Sequence, residues 1–244
     1  ATRLRGRIEK VLAWATVRGL RSGDNPARWR GNLDAVLPAP NKLKGDRHFA
    51  ALPFADVPAF MAKLAQRDGT AARALEFTIL TAARSGEVRG ATWQEVDLDA
   101  GTWTIPAERM KAGQPHRVPL SPAALAELQA LPQGEPGDLI FPAPRGGTLS
   151  DMSLSAVLKR MEVPATVHGF RSSFRDWAAE RTAYANEVIE KSMAHTITDK
   201  VERAYRRGDL FDKRRRLMAD WAAHCAGQAP AGSGDVVVAI GQAG

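Results

Sequence analysis

The apolar residues of this 244-residue chain keep a helical period almost throughout and abandon it once. Val57, Phe60, Met61 and Leu64 recur on one helical face, with Pro58 tolerated in the first turn. Leu75, Ile79 and Leu80 do the same before Thr81-Ala82-Ala83-Arg84-Ser85-Gly86. Then Thr92 to Leu98 alternates, and Asp99-Ala100-Gly101 turns the chain. Trp103-Thr104-Ile105 and His116-Arg117-Val118-Pro119-Leu120 bracket a loop holding Lys111 and Gly113. Pro119 places its strand at an edge or ends it. Helical spacing returns after Ser121-Pro122, an N-cap followed by proline at the first helical position. Ser150 caps a helix carrying Leu154, Val157, Leu158 and Met161, and Phe170, Phe174, Trp177 and Ala178 form a buried stripe. Thr198 caps a helix with Val201, Ala204 and Tyr205, and Leu217, Met218, Trp221 and Cys225 mark the last long one. One sheet-like interruption among helices predicts a mainly α fold with a small antiparallel β-sheet, in the α+β class.

The punctuation divides the chain. Ile8, Val11, Leu12 and Ala15 give one helix, but residues 1–37 are too few for an independent core. The chain starts almost inside that helix and is expected to be a fragment. Residues 38–53 read as a basic linker rich in Pro, Asn and Lys, residues 54–226 as the main domain, and residues 227–244 as a flexible tail with a β-prone run.

Hydrophobic residues make up 44%, enough for a sizeable core, and a formal charge of +7 favours polyanionic partners over ordinary solubility charge. The single cysteine, Cys225, excludes an internal disulfide and reads as a packed thiol. The chain has no apolar run long enough for a membrane span, no secretory signal and no CxxC or HExxH spacing. A cytoplasmic protein without a metal is expected.

Several polar residues stand out. At 100° per residue, His168, Arg171 and Arg175 cluster opposite Phe170, Phe174 and Trp177. Alone, that is better explained by a solvated basic face. Arg84 beside Glu87 reads either as a surface ion pair or as a guanidinium oriented to clamp a phosphate oxygen. Lys111, in a hairpin loop, is either solvated or a mobile proton donor. His195 after Met193-Ala194 reads as a packed core or capping histidine when taken singly. Tyr205, one of only two tyrosines, is flanked by arginines that suit a phosphate-contacting residue.

In order and spacing, Thr81 to Glu87, Lys111, His168-Gly169-Phe170-Arg171, Met193-Ala194-His195 and Ala204-Tyr205 resemble the tyrosine recombinase (phage integrase) family. The stretch from Ala204 to Phe211, with Lys213 to Arg216, is most similar to prophage and genomic-island integrases. Two departures, Thr81-Ala82-Ala83 in place of Thr-Gly and Met193 in place of Leu, preserve size and polarity. The resemblance implies the recombinase catalytic-domain fold, residues 1–37 being a remnant of a core-binding domain. It implies that Tyr205 attacks a scissile phosphate to form a 3′-phosphotyrosyl bond. Arg84, Arg171 and His195 stabilise the transition state, Lys111 protonates the leaving 5′-oxygen, and Glu87 supports from behind. His168 takes the tyrosine proton or orients the phosphate.

Arg175, Lys213, Arg214, Arg215 and Arg216 are expected to meet backbone phosphates. The resemblance implies no cofactor. It implies double-stranded DNA as partner, in the bacterial nucleoid, and a homo-tetramer on DNA built from a monomer when free. Val236, Val237, Val238 and Ile240 are candidates for exchange between protomers or for docking in cis. The rival readings are a type IB topoisomerase, a non-catalytic basic DNA-binding module and, more remotely, a histidine phosphatase.

Overall fold

A computed structural model describes residues 2–38, 49–195 and 208–228. The expected helix from Thr198 to Tyr205, the run from Val236 to Ile240 and most of the expected linker lie outside the described residues. The chain divides into two compact units, Ala1–His48 and Phe49–Gly244. The second therefore begins at Phe49, ahead of the expected boundary at residue 54. The cause is local: Ala50 O accepts from Thr166 N, and Leu52 O accepts from Ser173 Oγ, so the last linker residues are tied down.

In the first unit, helix α1 (Thr2–Val17) buries none of its residues. Polar contacts organise it. Arg5 bonds Glu9 at 2.6 Å and Ala27 O at 2.7 Å, and Asn25 Nδ2 donates to Glu9 O at 2.8 Å.

The second unit is built around α3 (Thr70–Thr81), which buries side chains on nearly every side, Leu75, Phe77 and Ile79 among them. A helix apolar all round belongs at the centre of a core. It packs against α2 (Val57–Ala65), α4 (Ser85–Arg89), α5 (Pro122–Gln129), α6 (Ser153–Arg160) and α9 (Phe211–Cys225). Its buried threonines are satisfied within the helix, Thr78 and Thr81 bonding Ala74 O and Phe77 O at 2.6 Å. The predicted stripe Phe170, Phe174, Trp177 and Ala178 on α7 (Gly169–Arg181) is buried. Phe174 and Trp177 meet Trp221 of α9, whose indole donates to Ile79 O at 2.8 Å. Cys225 is buried, which pushes its thiol well above the usual range and makes it a poor nucleophile.

The sheet is three-stranded and antiparallel in the order β1 (Val96–Asp97), β2 (Thr102–Ile105), β3 (His116–Pro119). Trp103 pairs with Val118 and Ile105 with His116. Pro119 both ends β3 and lies on an edge strand, where a missing N–H costs least. Only Val96 and Asp97 of the alternating segment form a strand with β2. Trp93–Glu95 is a 3₁₀ turn, because Glu95 turns inward to accept from Trp103 Nε1 at 2.9 Å and from Arg109. Ser121 caps α5 as expected, accepting from Ala124 N at 3.2 Å. Ser150 does not cap α6: the helix starts at Ser153, and Ser150 bonds the Ser153 hydroxyl instead.

Arg73 of α3 caps the end of α2 through Leu64 O and Ala65 O and pairs with Glu76 and Glu127. Burial, then the neighbouring Glu76, pushes the Glu127 carboxyl up to about 7. A carboxyl raised in the folded state stabilises fully below its unfolded value, near 4.5, and that contribution is lost as pH rises through 7. Glu127→Gln is therefore expected to leave urea stability unchanged at pH 4.5 and raise it by about 2 kcal/mol at pH 8. Equal effects at both pH values would contradict this.

Candidate active site

The site is assembled where two helices end in left-handed turns. Helix α3 stops at Ala82 (φ 49°), and α8 (Asn186–Ser192) stops at Ala194 (φ 50°). A side chain at such a φ costs about 1–2 kcal/mol, so the surroundings must hold it. Arg171 supplies the hold. It is 4% exposed on the first turn of α7, and it donates through Nη1 to Ala82 O and through Nη2 to Met193 O at 2.5 Å. One guanidinium thus satisfies carbonyls at both helix ends. Burial, then the charge of Arg84, lowers its pKa to about 10, which still leaves it cationic at neutral pH. Its Nε is buried and has no partner among the described residues.

Arg84 lies two residues beyond the Ala82 turn, at the head of α4. Both oxygens of the buried Glu87 engage it: Oε2 accepts from the Arg84 backbone N–H at 2.9 Å and Oε1 from Nη1 at 2.7 Å. Nη2 reaches Ala194 O at 3.3 Å. The expected support of Arg84 by Glu87 is thus present as geometry, reinforced by Arg109, which bonds both Glu87 O and Glu95.

His195 follows the Ala194 turn. Its backbone N–H bonds Glu190 O at 3.0 Å and its Nδ1 lies 2.6 Å from Glu190 Oε2. That leaves Nε2 for a ligand. His168 immediately precedes α7, with its ring edge-on to Phe49 at 4.5 Å. Partial burial, then the charges of Arg171, Arg84 and His195, holds its pKa below the ordinary histidine value. It is the neutral form, able to accept a proton, that these surroundings favour.

Arg84, Lys111, His168, Glu190 and His195 line one open hollow of about 550 Å³, with Met110, Ala112 and Ala194. Lys111 is exposed in the loop before β3. Arg171 stands behind the hollow, bonded to the residue before Ala194. A second hollow of about 490 Å³ shares Met110, Ala112, Ala194 and His195 and extends to Gly208 and Asp209. Tyr205 lies outside the described residues. Gly208 and Asp209, just after it in sequence, are held by Lys191, which donates to Gly208 O, and by Arg117, 3.3 Å from Asp209.

Sequence reading missed Glu190, His116 and Phe49. Glu190 also accepts from Arg175 Nε at 2.8 Å, so one carboxylate holds a histidine and an arginine. Hydrogen bonds from His195 and Arg175 leave its carboxyl below the usual range, against the opposing effect of burial. His116 is pushed down to about 3 by burial, then by Arg214, and hydrogen-bonds the Ser192 backbone. His116 meets Ser192 of α8 and Glu190 meets Arg175 of α7, contacts between separate elements that no local spacing marks.

The expected phosphate contacts fare unequally. Lys213, Arg215 and Arg216 are exposed, and Arg215 also bonds Ala100 O at 2.9 Å. Arg214 is a correction. It is 2% exposed and bonds Arg117 O and Asp209 O, so it joins α9 to β3 and has no free face for DNA. It sits at a buried position of α9, between exposed neighbours.

The family model described as "Phage integrase family" matches residues 51–210, and the one described as "Phage integrase central domain" matches residues 1–32. The integrase of Enterobacteria phage P4 is 30% identical over 244 residues, covering 91% of this chain and 54% of the relative. Prophage integrase IntZ of Escherichia coli K12 is 33% identical over 232 residues, again covering 91% and 54%. The chain thus spans about half the length of these relatives. Among solved structures, the integrase from mycobacterium phage Brujita aligns with a TM-score of 0.55 at 19% identity, covering 88% of this chain and 69% of that one. A lambda integrase tetramer bound to a Holliday junction aligns at 0.54 and 17%, covering 82% and 57%. These likenesses concern the fold.

A lysine at position 171 has one ammonium and cannot span both carbonyls. Arg171→Lys should lower unfolding stability by about 1–3 kcal/mol, the cost of one unsatisfied buried group, measured by urea titration. A loss below about 0.5 kcal/mol would contradict the bridging role.

Proposed function

The chain belongs to the phage integrase family of tyrosine recombinases, and from that membership we propose that it cleaves and rejoins DNA strands through a 3′-phosphotyrosyl intermediate. The observation that carries the reading is the convergence of Arg84 and Arg171 on the carbonyls of Ala194 and Met193, beside His195 and against one hollow. The chemistry follows from the donor set. The Tyr205 oxygen attacks the scissile phosphorus, a new P–O bond forms, and the bond to the 5′-oxygen breaks. Arg84, Arg171 and His195 Nε2 stabilise the charge gathering on the non-bridging oxygens. Lys111 delivers a proton to the leaving oxygen, and the favoured neutral form of His168 suits it to take the tyrosine proton. A 5′-hydroxyl of another strand then reverses the step, conserving bond energy without a nucleotide cofactor.

The partner is double-stranded DNA in the bacterial nucleoid. Lys213, Arg215 and Arg216 offer exposed charge to its backbone, and Arg175 serves chiefly to hold Glu190. The assembly is a tetramer on DNA, with Val236, Val237, Val238 and Ile240 passing to a neighbouring protomer by edge pairing. Residues 1–37 serve as the end of a DNA core-binding domain, an assignment supported by the central-domain match to residues 1–32.

On a nicked duplex carrying its core site, the wild type is expected to form a covalent adduct on a denaturing gel. Tyr205→Phe should form none while binding unchanged. Binding without an adduct in the wild type would instead identify a DNA-binding module, and supercoil relaxation without strand exchange a topoisomerase. Deleting residues 227–244 should reduce the size of the complex on DNA in native gels; an unchanged complex would count against tail exchange.

A further inference from the structure

We propose that Phe49 is a positioning residue for His168, held in place by a backbone strap, Phe49 to Leu52, laid across the start of α7. The proposal rests on the reading of His168 as part of the transesterification site.

The other histidines of the second unit have polar partners. His195 is fixed by Glu190, His116 by Ser192, and His224 by Phe54 O at 2.9 Å. The His168 ring makes no hydrogen bond among the described residues. Its second side-chain torsion is intrinsically broad, so packing must choose the ring direction. The ring that packs on it is Phe49, edge-on at 4.5 Å with planes at 63°. Phe49 remains 58% exposed, so burial of apolar surface is a weak reason for its placement.

The strap is rigidly seated. Ala50 O accepts from Thr166 N at 2.8 Å and from Thr166 Oγ1 at 3.2 Å, and the same hydroxyl accepts from Gly169 N at 3.0 Å. Ser173 Oγ donates to Leu52 O. The approach is so close that a Cβ on Gly169 would lie 2.1 Å from Ala50 O. Glycine at position 169, next to His168, is therefore what lets the strap reach the imidazole. Rigid seating of this kind gives the phenyl ring a defined place from which to orient a catalytic side chain.

The test uses the full chain, with Phe49→Leu, Phe49→Tyr and a His168→Gln background. Single-turnover adduct formation at saturating nicked duplex is measured with duplex affinity, and the His168 ring protons are followed by NMR. Phe49→Leu is expected to slow adduct formation about three- to tenfold at unchanged affinity. It should remove the ring-current shift of His168, and Phe49→Tyr should restore both rate and shift. In His168→Gln, adding Phe49→Leu should cost nothing further. An equal loss in both backgrounds, or a change confined to affinity, would overturn the proposal. If the wild type forms no adduct, the catalytic reading has failed; the NMR shift then decides separately whether Phe49 places the ring.

Discussion

A single buried guanidinium joins the catalytic geometry to the packing of the core. Arg171 bonds the carbonyls of Ala82 and Met193, at the ends of α3 and α8. Removing such a charge from water is costly unless it is fully hydrogen-bonded and near compensating charge. Glu87 and Glu190 favour its charged form and both Nη nitrogens are bonded, while Nε has no partner among the described residues. The strained turns at Ala82 and Ala194 are held by the same bonds, and Arg84 and His195 follow those turns in sequence. Local strain, burial and site geometry are therefore one arrangement.

The carboxylates have a directional task. Glu87 occupies the backbone and one nitrogen of Arg84, and Glu190 occupies Nδ1 of His195 and Nε of Arg175. Each holds a side chain from one side and leaves other nitrogens of Arg84 and His195 for the hollow they line. Donors fixed before the reaction need little reorganisation when charge develops, which is how a polar site gains more than the same groups in water.

Sequence periodicity reveals faces, and it revealed them well. The stripe on α7, the cap at Ser121 and the single change of period were legible because each depends on neighbours along the chain. Periodicity does not say what covers a face. Arg171 lies opposite the aromatic stripe, where the pattern alone favours a solvated residue, yet the ends of α3 and α8 enclose it. Arg214 followed the same logic in a run of basic residues. Glu95 broke an alternating segment because a distant arginine and an indole needed its carboxylate. His116 and Phe49 acquire their surroundings only through contacts between separate elements, and Glu190 gains Arg175 in the same way. At Ala82 the governing property is a positive φ, which size and polarity in the sequence do not reveal.

The central claim is that these cations act on phosphate charge as well as on the fold. Its most direct test compares tyrosyl-adduct rates on an ordinary scissile phosphodiester and on a neutral methylphosphonate, for the wild type and Arg84→Ala. Charge stabilisation predicts a loss of about 100-fold or more on the diester and below about tenfold on the neutral linkage. Equal losses on both would mean that Arg84 only holds the structure together, and the account would be wrong.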